Sequence, residues 1–166
     1  VGHDITERHA HQHQLEHMAH FDMLTGLPNR SLLADRLQQA LAQAQRRKTA
    51  LAIVYLDLDG FKAINDRFGH DVGDRLLKVL SEQMKHALRE VDTLARLGGD
   101  EFVVIYLDLH SVESSLPLLS RLLQAVSETV QIDGLSMKVS ASLGVTYYPQ
   151  DDPIDSDQLL RQADQA

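Results

Sequence analysis

The chain has 166 residues, 43% of them hydrophobic and 24% charged, with a formal net charge of −8 and no cysteine. That is one domain's worth of chain, able to bury a core and too apolar to be disordered. The composition excludes a disulfide framework and a thiolate metal site, and the acidic balance argues against a nucleic-acid-binding surface, which would show a basic stripe. No apolar run approaches a transmembrane span and no signal-peptide pattern opens the chain, so a cytoplasmic location is expected.

Taken from the start, Asp4-Ile5-Thr6-Glu7-Arg8 and the histidine-rich stretch to His20 have helical composition, with Leu15 and Met18 at one helical spacing. His9, His13 and His17 fall at i, i+4 and i+8 on one helix face. No acidic or cysteine partner fixes a metal geometry for them, so they read as a solvated linker face. Leu32, Leu33, Leu37, Ala40, Leu41 and Ala44 keep helical spacing up to Arg46-Arg47-Lys48, basic residues that suit a helix C-terminus. Leu51 to Leu56 is a continuous apolar run, the pattern of a strand buried on both faces. A loop follows, then a helix from about Asp71 to Leu88 through Leu76, Leu77, Val79, Leu80 and Met84. Two apolar runs, Leu94 to Leu97 and Phe102 to Tyr106, flank Gly98-Gly99 and predict a β-hairpin. A second long helix is predicted over Val112 to Val130, with Leu116, Leu119, Leu122, Leu123 and Val126 inward. A strand from Ser136 to Thr146 and a helix starting near Asp155 complete the order.

The core is thus strand, helix, strand, strand, helix, strand. That is the α+β, ferredoxin-like (palm-type) βαββαβ arrangement, a mostly antiparallel sheet flanked by helices. In that topology the first strand and the hairpin lie side by side.

Two acidic features fall where those strands end. The hairpin turn carries adjacent carboxylates, Asp100 and Glu101, and paired acids repel unless a cation or a proton lies between them. The buried strand ends in Asp57-Leu58-Asp59-Gly60. A calcium loop beginning at Asp57 fails, because its sixth and twelfth positions hold Lys62 and Phe68 instead of Gly and Glu. Asp57 beside Asp100 and Glu101 instead suits Mg²⁺, which takes one or two carboxylates and keeps water and phosphate oxygens.

Gly98-Gly99-Asp100-Glu101-Phe102 is the signature of GGDEF domains, the diguanylate cyclases, and the chain resembles that family elsewhere too. The matching segments are Asp22 to Arg30, Asp57 to Asp66, Phe68 to Asp74 and Ser140 to Val145. The resemblance runs from about His20 to the last residue and divides the chain into residues 1–19, similar to the end of a PAS sensor domain and its linker helix, and a GGDEF domain at 20–166. It implies that two GTP molecules condense to cyclic di-GMP with release of two pyrophosphates, each ribose 3′-hydroxyl attacking an α-phosphate.

The resemblance assigns the metal, Mg²⁺ with Mn²⁺ as its alternative, to Asp57, the Leu58 carbonyl, Asp100 and Glu101. It gives catalytic roles to Asp100, Glu101 and Lys62, the last against phosphate. Asn65 and Asp74 match the guanine readers, and Phe61, His70, Gly98 and Gly99 complete the substrate positions. A carboxylate accepts from guanine N1 and N2, while an amide bonds O6 or N3. Arg89 and Asp92 match an RxxD site that binds the product and inhibits the enzyme; the bland alternative is a helix-end Arg with a turn Asp. A two-fold product from two GTP implies a homodimer, with the N-terminal helix relaying a sensor's state. The final helix, Gln158 to Ala166, stops before the Tyr-, Lys- and Arg-bearing segment that contacts triphosphate in the family. The chain is therefore expected to be C-terminally truncated and to bind GTP more weakly. The rival to the cyclase is a non-catalytic GTP-binding or product-sensing module regulating an attached domain.

Overall fold

The computed structural model describes residues 2–166, with side chains from Arg8 onward. Strand β1 (Ala50–Asp59) lies at the centre of a four-stranded sheet and alternates between two apolar layers. It pairs antiparallel with β3 (Glu101–Leu109) on one side and with β6 (Ser140–Tyr148) on the other, while β2 (Thr93–Gly98) flanks β3, giving the order β2-β3-β1-β6. This is the expected α+β architecture, and every pairing in the sheet is antiparallel.

One face buries Ala52, Val54, Leu56, Phe102, Val104 and Tyr106 under helices α4 (His70–Ala87) and α5 (Leu116–Ser127). The other buries Leu51, Ile53, Val103 and Ile105 under α2 (Arg30–Arg47) and α6 (Ser156–Gln165). Both outer helices start on side-chain caps. Asn29 accepts from the Leu32 amide, and Asp155 forms a reciprocal capping box with Gln158.

The histidine-rich segment forms one helix, α1 (Gly2–His20), whose side chains from Arg8 to His20 are all exposed. Its end is tied to the domain where the Asn29 amide donates to the His20 carbonyl and Phe21 bridges Pro28. The reading of Asp4 to Glu7 as the end of a sensor domain falls on side chains outside the described residues.

Four expectations are corrected. The loop after β1 is a helix, α3 (Phe61–Phe68), anchored by the buried Phe61 ring. The second long helix breaks into a 3₁₀ turn at Val112–Ser115 and α5, because Pro117 can only sit in a first turn. Leu116 and Leu123, expected inward, are 59% and 37% exposed, and Val79 on α4 is 36% exposed. The strand from Ser136 is a short hairpin, β4 (Val130–Ile132) and β5 (Leu135–Met137), followed by β6. The Asp133-Gly134 turn, with φ of 53° and 78°, is the missed signal, since Asp-Gly favours a tight hairpin.

Candidate active site

The sheet register assembles the acids. Asp57, near the end of β1, stands directly opposite Glu101, the first residue of β3, and the Leu58 amide donates to the Asp100 carbonyl at 3.2 Å. Because side chains alternate along a strand, Asp57 and Glu101 project to the α2–α6 side, while Leu58 is buried on the α4 side. Asp100 sits in the turn itself, after Gly98 and Gly99, whose φ of 147° and 50° are strained for any residue with a Cβ.

The electrostatics suit a cation. Partial burial pushes the Asp57 carboxyl above its ordinary range, and the charges of Asp100, Asp164 and Asp59 push it further. Among the described residues no ion pair reaches Asp57, Asp100 or Glu101. Nor do three His, Cys, Asp or Glu side chains converge into a closed cage among those residues. The solvent-facing carboxylates of Asp57 and Asp100 beside the Leu58 backbone fit a magnesium-type ion that keeps most of its waters.

Helix α3 carries Lys62, exposed in its first turn, and Asn65, half-buried, whose Oδ1 is buried without a hydrogen-bond partner. Asn65 packs on Gly73 of α4, where a Cβ would collide with the Asn65 amide and press on the Phe61 ring at 3.3 Å. Asp74 follows on α4 and is exposed, as is His70 at the helix start. Asn65 thus lies at the contact between the two helices, its Oδ1 packed against Gly73, with Asp74 the next residue along α4.

Arg89 and Asp92 are not part of this cluster. They lie in the connection from α4 to β2, at the far end of the β2–β3 ladder, about 20 Å from the glycine turn at 3.3 Å per strand residue. Arg89 forks onto Asp92 at 2.9 and 2.8 Å and also donates to the Leu107 carbonyl at 2.6 Å. The Asp92 side chain is fully buried and accepts from the Leu107 and Arg89 amides as well.

Two arrangements were not legible beforehand. Arg96, just before the glycine turn, holds Asp22 through two bonds of 2.9 and 3.0 Å and the Gly99 carbonyl through two more, at 3.0 and 2.9 Å. Partial burial works against the charge of Asp22, but the Thr25 hydroxyl and amide and Arg96 outweigh it and hold the carboxyl below its ordinary range. The other is Asp59, gripped by Ser142 at 2.8 and 3.0 Å. For Asp59 a signal lay in spacing: Asp57 and Asp59 share a strand face, as do Ser140 and Ser142.

A family model described as "Diguanylate cyclase, GGDEF domain" matches residues 19–166. The chain belongs to the GGDEF family. Its relatives include the bifunctional diguanylate cyclase/cyclic di-GMP phosphodiesterase MucR of Pseudomonas aeruginosa, 44% identical over 83% of this chain and 20% of that protein. The cyclic di-GMP phosphodiesterase NbdA of the same organism is 44% identical over 86% of this chain and 18% of that protein. The diguanylate cyclase TpbB, also of P. aeruginosa, is 39% identical over 92% of this chain and 35% of that protein. A solved structure comprising only the GGDEF domain of TpbB superposes with a TM-score of 0.82 at 37% identity, covering 87% of this chain and 84% of that one. This GGDEF domain thus spans about a fifth to a third of the length of these relatives.

Proposed function

We propose that this GGDEF domain is a diguanylate cyclase that condenses two GTP into cyclic di-GMP and two pyrophosphates. The observation that carries the reading is the β1–β3 register, which brings Asp57 level with Glu101 and bonds Leu58 to Asp100. Asp57, the Leu58 carbonyl and Asp100 would hold Mg²⁺ or Mn²⁺, which supplies acidity to a hydroxyl and neutralises phosphate charge.

The remaining work belongs to the chain. Asn65 and Asp74 orient the guanine edge, and an analogue lacking their partners leaves polar groups unpaired. His70, Gly98 and Gly99 flank the same approach, and Phe61, which is buried, supports α3 from behind. Glu101 takes the proton from the 3′-hydroxyl as the new 3′-oxygen–phosphorus bond forms and pyrophosphate leaves. Lys62 holds the negative charge that builds on the phosphate. Each domain binds one GTP, so the product requires two domains facing across a two-fold axis. Residues 1–19 are then the linker through which a sensor alters how often the half-sites meet, in the cytoplasm, where GTP is available. No described helix is long and apolar enough to cross a membrane.

Product inhibition falls to Arg89. It lines a cavity of about 420 Å³ together with Arg36, Lys85, Glu90 and Asp92, so three cations outnumber two acids around one space, and with Asp92 bonded to Arg89 the excess charge suits a phosphate. Asp92 orients Arg89 in this reading, because its own carboxylate is already committed to the protein. Arg89→Ala is expected to leave turnover intact at low product and to remove the slowing at saturating product.

The deciding experiment is conversion of GTP to cyclic di-GMP with Mg²⁺ at high protein concentration. Product establishes the cyclase. Bound GTP without product would instead assign a nucleotide-sensing module that regulates an attached domain.

A further inference from the structure

Two acids alternate on the same face at the end of β1, and they are treated differently. Among the described residues Asp57 has no ion pair, whereas Asp59 accepts from the Ser142 hydroxyl on both oxygens, at 3.0 and 2.8 Å, and from Ser140 at 3.4 Å. The serines sit directly across the ladder: Ser142 opposes Asp57 and Ser140 opposes Asp59.

This grip comes where the strand has lost its other support. The β1–β3 pairing ends at Asp57 and Glu101, because β3 turns away into the glycine pair. Beyond that point β1 is held on the β3 side by the Leu58–Asp100 bond, and on the β6 side by pairing that continues to Asp59. The next residue, Gly60, turns the chain with φ of 85° directly into α3. That helix has 8 residues and no side-chain cap at its N-terminus. A helix so short is marginal on its own, and an uncapped start leaves its direction to its neighbours. Phe61 anchors one side of it by burial. Asp59 lies one residue ahead of Gly60, where the strand leads into that helix.

We infer that Asp59 is a positioning residue, clamped by Ser142 and Ser140 so that α3 presents Lys62 and Asn65 to the nucleotide. The inference rests on the cyclase reading for the identity of that nucleotide. It gives the second acid of Asp57-Leu58-Asp59 a role distinct from metal ligation: its oxygens are turned to β6, leaving Asp57 for the cation. It also gives Ser140 and Ser142 a function that β-pairing alone does not require.

The test uses Asp59→Ala, Asp59→Asn and Ser142→Ala in the full chain, with hydrogen exchange at the α3 amides, GTP affinity by calorimetry and Mn²⁺ affinity by electron paramagnetic resonance. Asp59→Ala and Ser142→Ala are expected to speed exchange in α3 and to weaken GTP about tenfold, the scale of one lost charge-assisted hydrogen bond. Asp59→Asn should recover most of both, because an amide oxygen still accepts from Ser142, and Mn²⁺ affinity without nucleotide should stay within about twofold in all three. Loss of Mn²⁺ affinity in Asp59→Asn would make Asp59 a ligand and overturn the inference, as would unchanged α3 exchange in Asp59→Ala. Absence of GTP binding by the unsubstituted chain would sink the cyclase reading instead, while the exchange data would still decide whether the clamp orders α3.

Discussion

Asp57 shows how a single residue trades stability for chemistry. Its carboxyl is pushed up by burial and by Asp100, Asp164 and Asp59, so ionising it in the folded chain is unfavourable. For an acid with a raised folded-state pKa, the related stability is fully present below the ordinary value near 3.8 and is lost as pH rises through the raised one. Metal-free protein at neutral pH therefore carries this repulsion. Asp57→Asn is expected to stabilise the metal-free chain slightly, by about 0.5 kcal/mol, the scale usual for exposed sites, while abolishing cyclic di-GMP synthesis. Calorimetry and product assay on the same preparation check both halves. Gly73 is the opposite case, where no charge is involved. A methyl there meets the Asn65 amide, so Gly73→Ala should cost about 1–3 kcal/mol and weaken GTP, with ATP binding unchanged.

Between elements, two arginine–aspartate pairs act as joints. Arg96 ties the Asp22–Pro28 turn, and through Asn29 the end of α1, to the Gly99 carbonyl of the glycine turn. Arg96→Lys keeps the charge but loses the fork that reaches both partners, and should destabilise the domain by about 1–2 kcal/mol in urea titration. Asp22, with its carboxyl held low, contributes stability above its ordinary pKa that is lost as pH falls through the depressed value. Asp22→Asn should accordingly flatten the acid side of the stability profile below about pH 4. The second joint pins the α4–β2 connection to β3. Asp92→Ala leaves Arg89 and the Leu107 amide without their acceptor and is expected to cost about 2–4 kcal/mol, more than Arg89→Ala, whose side chain is 36% exposed.

For the whole molecule, the proposed cyclase has one metal site and one guanine contact on each chain, and a two-fold product needs both twice. Specific activity is therefore expected to rise with protein concentration until pairing saturates, whereas GTP affinity per chain stays constant. Activity per chain that is flat from nanomolar to micromolar concentration would remove the dimer from the mechanism. The exposed α1, tied to the domain at its end, is the element through which a sensor would shift that pairing.

The sequence alone was enough for the sheet and its layers, because continuous apolar runs such as Leu51–Leu56 and helical spacing such as Leu33–Leu37–Ala44 leave few other ways to bury surface. It was also enough for the family, since several spaced motifs are hard to match by chance. It failed where local signals were short or ambiguous. α3 has only two turns, the Asp133-Gly134 hairpin only three residues a side, and a leucine-rich helix face does not say which leucines a neighbour will cover. Tertiary structure decided what depends on register between distant segments. It set which acid of the Asp57–Asp59 pair the serines take, joined Asp22 to Arg96 across 74 residues, and committed Asp92 to its own backbone. Hydrogen bonds and charge repulsion act over a few ångströms, and only the folded sheet brings these groups within that range.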